Sequence, residues 1–364
     1  MSGPVHRIFN FSSGPAVLPL PVLEEVQRDL VALPGVGMSI MEISHRSKRF
    51  DDVLEGAISD VRSLAGVGEE YKVLMLQGGA SLQFLMVPMN LVAGGQTSDY
   101  IDTGSWSQKA IKEAKRVGTV NIAASTKDDN YCRIPEASEI DLSENAGYVH
   151  MTSNNTIEGT QWQAIPDVGS APLVVDASSD IFSRPLDYSR FSLLYAGAQK
   201  NLGPAGVTLV MIREDLLSRS QDSLPTMLDY RTHVQANSCY NTPNTFGVYV
   251  LGLTLKWIRS QGGLDGVAAI NERKAAKLYT EIDRTGFWEG TAAPGSRSKM
   301  NITYRISDRD LEPRFLEEAT AAGLDGLKGH RSVGGIRAAL YNAFPEAGVD
   351  ALISFMQEFE RTSG

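Results

Sequence analysis

Cysteine is scarce: 364 residues hold only Cys132 and Cys239, too few for a disulfide scaffold and without metal-ligand spacing. Reduced thiols in a cytoplasm are the simplest account, and neither thiol has the context of a catalytic nucleophile. Histidine is nearly as rare, with five residues, and no pair has the spacing of a zinc protease. We therefore expect no metal. No apolar run reaches the roughly 18 residues of a membrane span, and Met1 to Phe11 lacks an apolar core of signal-peptide length, so neither insertion nor export is expected. Basic runs are missing too, and a net charge of −9 argues against an extended nucleic-acid surface. Any anionic ligand must be met by local arginines. The chain has no Walker lysine motif, and the pairs Gly35/Gly37 and Gly66/Gly68 lack the third glycine of a dinucleotide fingerprint. We find no nucleophile-elbow serine, no internal repeat and no low-complexity tract.

What is present is a chain with 42% hydrophobic residues and 34 glycines, enough for a substantial core and two domains. Strand-like runs at Tyr71–Leu76, Asp99–Ile101, Gly147–Met151, Leu173–Val175 and Leu193–Tyr195 alternate with segments that can form helices, the pattern of a largely parallel sheet. Ser105 to Val117 has Trp106, Ala110, Ile111 and Ala114 at helical spacing, and we assign Lys109, Lys112, Glu113, Lys115 and Arg116 to a solvated face. The polar stretch from Ser218 to Pro243 lacks periodicity and reads as an interface arm. Thr242-Pro243 is expected to open a helix through Trp257, and a second follows the Gly262-Gly263 break. Beyond Gly290, strand-like 300–305 and 336–341 alternate with helical 311–322 and 349–361, a smaller α+β unit.

The chemistry centres on Lys200, delivered by an apolar strand through Ala196-Gly197-Ala198-Gln199. A lysine of ordinary pKa, about 10.4, is a poor nucleophile at pH 7, whereas burial or a nearby cation lowers that value and lets the amine hold a carbonyl cofactor. Taken alone, such a lysine is more often an ordinary loop residue. Asp176, at the end of the strand-like Leu173-Val174-Val175, lies at the edge where open α/β sheets collect ligands. An anion there can face the ring nitrogen of pyridoxal phosphate; without Lys200 it would read as a turn cap. Gln77-Gly78-Gly79-Ala80-Ser81 opens a helix and is either a phosphate cradle or a structural turn. Trp106 is a core residue or a stacking platform, and Thr156 a turn cap or a partner for a ring oxygen. His45-Arg46, His330-Arg331 and Arg337 are either internal ion pairs or forks for a dianionic substrate.

The blocks Phe9–Ala16, Met41–Arg46, Tyr195–Gly206 and Gly329–Arg337 are long and specific, and through them nearly the whole chain resembles the phosphoserine aminotransferase family. That family belongs to the class V aminotransferases and to fold type I of the pyridoxal-phosphate enzymes. The resemblance implies an α/β fold: a large domain, 16–262, with a mostly parallel seven-stranded sheet flanked by helices, and a smaller α+β C-terminal domain, 263–364. The N-terminal segment, 1–15, would pack near the small domain. It also implies that Lys200 carries pyridoxal 5'-phosphate, Asp176 faces its ring nitrogen, Trp106 stacks on the ring and Thr156 contacts its oxygen. Gln199, Ala80 and Ser81 would hold the cofactor phosphate, with Asn241 and Thr242 reaching it from the second subunit of a homodimer that shares its active sites. Arg337 would bind the substrate α-carboxylate, and His45, Arg46, His330 and Arg331 the distal phosphate or the glutamate side chain. Ala80-Ser81 departs from the Gly-Arg of some members, which removes one phosphate contact.

The implied reaction passes the amino group between L-glutamate and 3-phosphohydroxypyruvate, giving O-phospho-L-serine and 2-oxoglutarate. The four-carbon 3-hydroxy-2-oxo-4-phosphobutanoate of pyridoxine synthesis shares the phosphate tail and is a second candidate. Other class V chemistry, such as alanine:glyoxylate transamination or cysteine desulfuration, stays open at this stage, as does a non-catalytic scaffold that keeps the fold.

Overall fold

The computed structural model describes residues 7–92 and 95–363. Seven strands form its main sheet, in the spatial order Tyr71–Leu76, Thr208–Arg213, Leu193–Gly197, Leu173–Asp176, Ala146–Thr152, Thr97–Asp102, Val120–Ser125. Thr208–Arg213 runs antiparallel to both neighbours, and every other adjacent pair is parallel. The central strands Leu173–Asp176, Leu193–Gly197 and Thr208–Arg213 are largely apolar because both faces are covered. Val73, Met75, Val175 and Leu194 point into one core and Leu74, Leu76, Val174 and Tyr195 into the other, as a two-residue period dictates. Two of the seven strands, Val120–Ser125 and Thr208–Arg213, are additional to those read from the sequence.

Helix boundaries follow local chemistry. Lys48–Ala65 begins at Ser47, whose hydroxyl accepts from Phe50 N, and ends at Gly66 with φ 65°. Ser105–Val117 has the expected bounds and buries Ala110, Ile111 and Ala114. The helix expected to open at Thr242-Pro243 instead spans Thr245–Ser260: Asn244 caps it by accepting from Gly247 N at 2.9 Å, so Pro243 precedes the helix. The polar stretch before it is pinned to its own chain. Tyr230 is fully buried and donates to Gln83 at 2.6 Å, and Ser238 Oγ accepts from Met75 N at 3.0 Å. Met227 and Tyr240 of this stretch stay exposed.

A second, antiparallel sheet joins Trp288–Gly290, Asn301–Ile306 and Ile336–Ala339. Its core draws on Leu278, Phe315 and Met356 from the helices Gly263–Ile282, Glu312–Ala321 and Glu346–Ser363. Phe11, near the N-terminus, belongs to the same core, with its ring centroid 4.4 Å from that of Phe344. Of the segment 1–15, residues 1–6 lie outside the described residues. The remainder crosses between the two sheets: Ser13 O accepts from Tyr341 Oη at 2.8 Å, and Ala16 N donates to Gln199 O at 2.9 Å.

One buried lysine holds the turn after the last small-sheet strand. Lys274 is completely inaccessible, and its Nζ donates to the carbonyls of Leu340, Tyr341 and Phe344 at 2.9, 2.8 and 3.1 Å. Three acceptors at these distances call for the three donors of an ammonium group. Lys274→Met keeps the volume and removes all three, so we expect a loss of about 3 kcal/mol of unfolding free energy, roughly one per orphaned carbonyl. Denaturant unfolding of the two proteins checks this; a loss under about 1 kcal/mol would mean the carbonyls find other donors.

Candidate active site

Lys200 lies three residues beyond the strand Leu193–Gly197, next to the strand that ends in Asp176. The turn that presents it is closed by Leu202 N and Gly203 N, both donating to Ala198 O. Asp176 is 5% exposed; its Oδ1 accepts from Ser178 N at 3.0 Å and Ser178 Oγ at 2.6 Å, while Oδ2 makes no hydrogen bond among the described residues. Ser178 Oγ in turn accepts from Gly197 N, tying the carboxylate to the lysine-bearing strand. Burial pushes the Lys200 amine below the usual lysine range, with Arg337 and Lys109 adding to the effect and Asp176 and Asp180 opposing it. Burial likewise raises Asp176, against the pull of Lys200 and the Ser178 bonds. Both shifts favour a neutral pair.

Gly14 explains how close the N-terminal segment comes. Its φ of 140° suits glycine, and a Cβ there would sit 3.3 Å from Lys200 Cγ. The segment therefore walls the lysine on one side.

Trp106, in the first turn of Ser105–Val117, has its ring centroid 4.9 Å from Lys200 Nζ. Its Nε1 donates to Thr156 Oγ1 at 2.9 Å, and Thr156 O accepts from Arg337 Nη1 at 3.0 Å. The Nε of Arg337 is buried without a partner among the described residues, so one edge of this guanidinium has donors to spare. Burial pushes Arg337 below the usual range, with Tyr341 and Glu158 opposing. His330 pairs with Ser332 Oγ at 2.7 Å and is lowered by burial and then by the charges of Arg337, Lys109 and Arg331.

Lys200, Trp106, Thr156 and Arg337 are thus linked through successive contacts near the strand end that carries Asp176, and His330, next to Arg331, lies within electrostatic reach of Arg337. Ala80 and Ser81 lie in the first turn of the helix Gly79–Leu91, which has Gly78 at φ 91° as its N-cap and no side-chain cap. Gln199 is half-buried beside Lys200. The structure does not bring the other four expected residues to Lys200 within one chain. Asn241 donates to Gln77 Oε1 at 3.1 Å, and Thr242 O accepts from Gln77 Nε2 at 3.0 Å. His45 is half-buried, with Nε2 unpartnered among the described residues, and the exposed Arg46 acts electrostatically on Cys239.

Lys109 is exposed, in keeping with the solvated face read from the sequence, and its Nζ also stands 3.9 Å from the Trp106 centroid. The signal was its spacing of three residues from Trp106, which puts both side chains on neighbouring helical rows. Ser178 was also legible, two residues after Asp176, as a side chain that closes an Asx-type turn. Glu158 had no sequence signal; its Oε1 accepts from Ser105 N and Oγ, both at 2.7 Å, and so anchors the start of the Trp106 helix.

The pattern of the class V aminotransferases matches residues 8–352, and the chain belongs to that family. It is a pyridoxal-phosphate-dependent transaminase. Among curated relatives, it is 55% identical over 360 residues to phosphoserine aminotransferase of Desulfosudis oleivorans, covering 98% of this chain and 99% of that one. Two solved structures agree. Phosphoserine aminotransferase from Bacillus circulans subsp. alkalophilus superposes with a TM-score of 0.97 at 52% identity, covering 98% and 99% of the two chains. The PLP-bound phosphoserine aminotransferase from Trichomonas vaginalis superposes at 0.92 with 39% identity, covering 96% and 100%.

The residues present fit that cofactor. An uncapped helix N-terminus offers backbone amides to a phosphate, Asp176 keeps one oxygen without a protein donor among the described residues, and the half-buried Lys200 amine stands against the Trp106 indole. Cys239, by contrast, has its thiol pushed up by burial, which makes it a poorer nucleophile and gives cysteine chemistry no support.

Proposed function

We propose that this enzyme exchanges the amino group between L-glutamate and 3-phosphohydroxypyruvate, forming O-phospho-L-serine and 2-oxoglutarate in serine biosynthesis. The observation that carries this reading is the convergence of Lys200, Asp176, Trp106 and Arg337, with Lys200 against the Trp106 ring, Trp106 and Arg337 joined through Thr156, and the charges of Asp176 and Arg337 acting on Lys200. When bound, pyridoxal phosphate supplies an electron sink conjugated to the amino-bearing carbon of the substrate. Lys200 Nζ is the covalent anchor and, once displaced, takes and returns the proton at that carbon. Its lowered basicity favours the neutral amine. Asp176 would face the ring nitrogen, Trp106 would stack on the ring and Thr156 would contact its oxygen. Gln199, Ala80 and Ser81 would hold the cofactor phosphate.

Arg337 is assigned the substrate α-carboxylate, which its unpartnered Nε edge can accept in two-point fashion. His45, Arg46, His330 and Arg331 are assigned the distal phosphate or the glutamate side chain. We infer a homodimer with shared sites, Asn241 and Thr242 reaching the cofactor phosphate of the second chain. Support comes from the exposure of Met38, Met41 and Tyr240. Among the described residues no helix is long and apolar enough to cross a membrane; we place the enzyme in the cytoplasm. The domain boundary is placed after residue 262, between the helices Thr245–Ser260 and Gly263–Ile282.

The test supplies glutamate as donor with either 3-phosphohydroxypyruvate or 3-hydroxy-2-oxo-4-phosphobutanoate, following 2-oxoglutarate. We expect the first to be aminated, and the second also, through the shared phosphate tail; failure with both would defeat the reading. Arg46→Ala and Arg331→Ala are each expected to raise KM for the phosphorylated oxo-acid about tenfold or more, equivalent to about 1.4 kcal/mol. Unchanged KM in both variants would remove these residues from the pocket.

A further inference from the structure

We propose that Lys109 is a specificity-determining residue, whose exposed ammonium beside Trp106 binds the substrate phosphate and favours it over the side-chain carboxylate of glutamate. The inference rests on the phosphoserine reading above. Three basic side chains are tied to one indole: Lys109 Nζ is 3.9 Å from the Trp106 centroid, Lys200 Nζ is 4.9 Å from it, and Arg337 donates to the carbonyl of Thr156, whose hydroxyl accepts from the indole N–H. The Lys109 charge is close enough to depress both Lys200 and His330. No salt bridge to Lys109 occurs among the described residues, although Arg116 on the same helix pairs with Glu113. In a chain of net charge −9, a cation kept free of carboxylates beside the stacking residue is available to a ligand.

The chemistry of the two substrates makes this cation discriminating. Both carry an α-carboxylate, which falls to Arg337. They differ at the far end, where a phosphate brings nearly two negative charges and three acceptor oxygens and the glutamate side chain brings one charge and two oxygens. An ammonium is a compact point charge with three donors, and its attraction scales with the charge it meets. One further cation therefore adds more to binding of the phosphorylated substrate than to binding of glutamate.

Lys109→Met keeps an unbranched stem against Trp106 and removes only the charge; the site is exposed, so folding is not at risk. In the holoenzyme we expect KM for 3-phosphohydroxypyruvate to rise about tenfold, with KM for glutamate and kcat changed less than about twofold. Lys109→Arg should recover most of the loss. Calorimetric binding of 3-phosphoglycerate, which has neither amino nor keto group and cannot turn over, should weaken by the same factor. Equal KM changes for both substrates, or none, would overturn the inference while leaving the transaminase reading intact. A wild-type enzyme inactive on 3-phosphohydroxypyruvate would overturn that reading and this inference with it.

Discussion

Replacing Lys200 by alanine is expected to cut transamination by about 10,000-fold, the upper end of what one positioned proton-transfer group contributes. The residue has two tasks, and the variant loses both. It no longer anchors the cofactor covalently, and nothing replaces the amine that moves the proton at the substrate carbon. Neither Lys109 nor Lys274 is placed to stand in: Lys109 is exposed and lies against the Trp106 indole, and Lys274 is locked to three carbonyls elsewhere in the fold. The check combines turnover with borohydride reduction followed by peptide mass mapping. In the wild type the cofactor mass should fall on the peptide that contains Lys200, and in the variant on none. Glutamate-dependent turnover within about tenfold of wild type would sink the assignment of this residue.

Much of this arrangement was open to a reader of the sequence, for reasons that differ from residue to residue. Tyr71–Leu76 and Ser105–Val117 have their expected bounds because the apolar run and the helical spacing each stop at a clear break in pattern. Asp176 and Lys200 stood out because each ends a short apolar strand, and strand ends converge on one edge of a parallel sheet. Val120–Ser125 was harder to see: it is the edge strand, exposed at Ile122 and carrying Asn121 and Ser125, so its apolar signal is diluted.

Lys109 shows the limit of periodicity. Helical spacing separates a core-facing side from a solvent-facing side, but it does not say what that second side meets. Here its exposed Lys109 also meets the Trp106 indole. Gly14 beside Lys200 and Ser13 beneath Tyr341 are contacts between segments far apart in the chain, for which a single sequence holds no local signal. The separation of His45, Arg46, Asn241 and Thr242 from Lys200 is likewise a property of tertiary placement and not of motif.

Asp176→Asn is expected to move activity and stability in opposite directions, which distinguishes a functional carboxylate from a structural one. Asparagine can still accept both Ser178 bonds through its side-chain oxygen, so the turn should survive. What disappears is the anion opposite the ring nitrogen. Loss of one preorganised electrostatic partner costs about 100- to 1,000-fold in turnover, and we expect that range here. Stability follows from the direction of the shift. Burial raises the folded-state value of Asp176 above its ordinary 3.8, so the folded chain holds this proton more tightly than the unfolded chain does. The stabilising contribution is complete below 3.8 and is lost as pH rises through the folded-state value. Above 3.8 the carboxylate therefore contributes progressively less to the cofactor-free fold than it does at low pH, and asparagine, which does not titrate, escapes that loss. With cofactor stripped from both proteins, the variant should melt at the same temperature as wild type or higher at pH 7. Its advantage should shrink as pH falls toward 3.8. A variant that melts lower at pH 7 while keeping near wild-type turnover would show that Asp176 holds the turn together and does nothing for the chemistry.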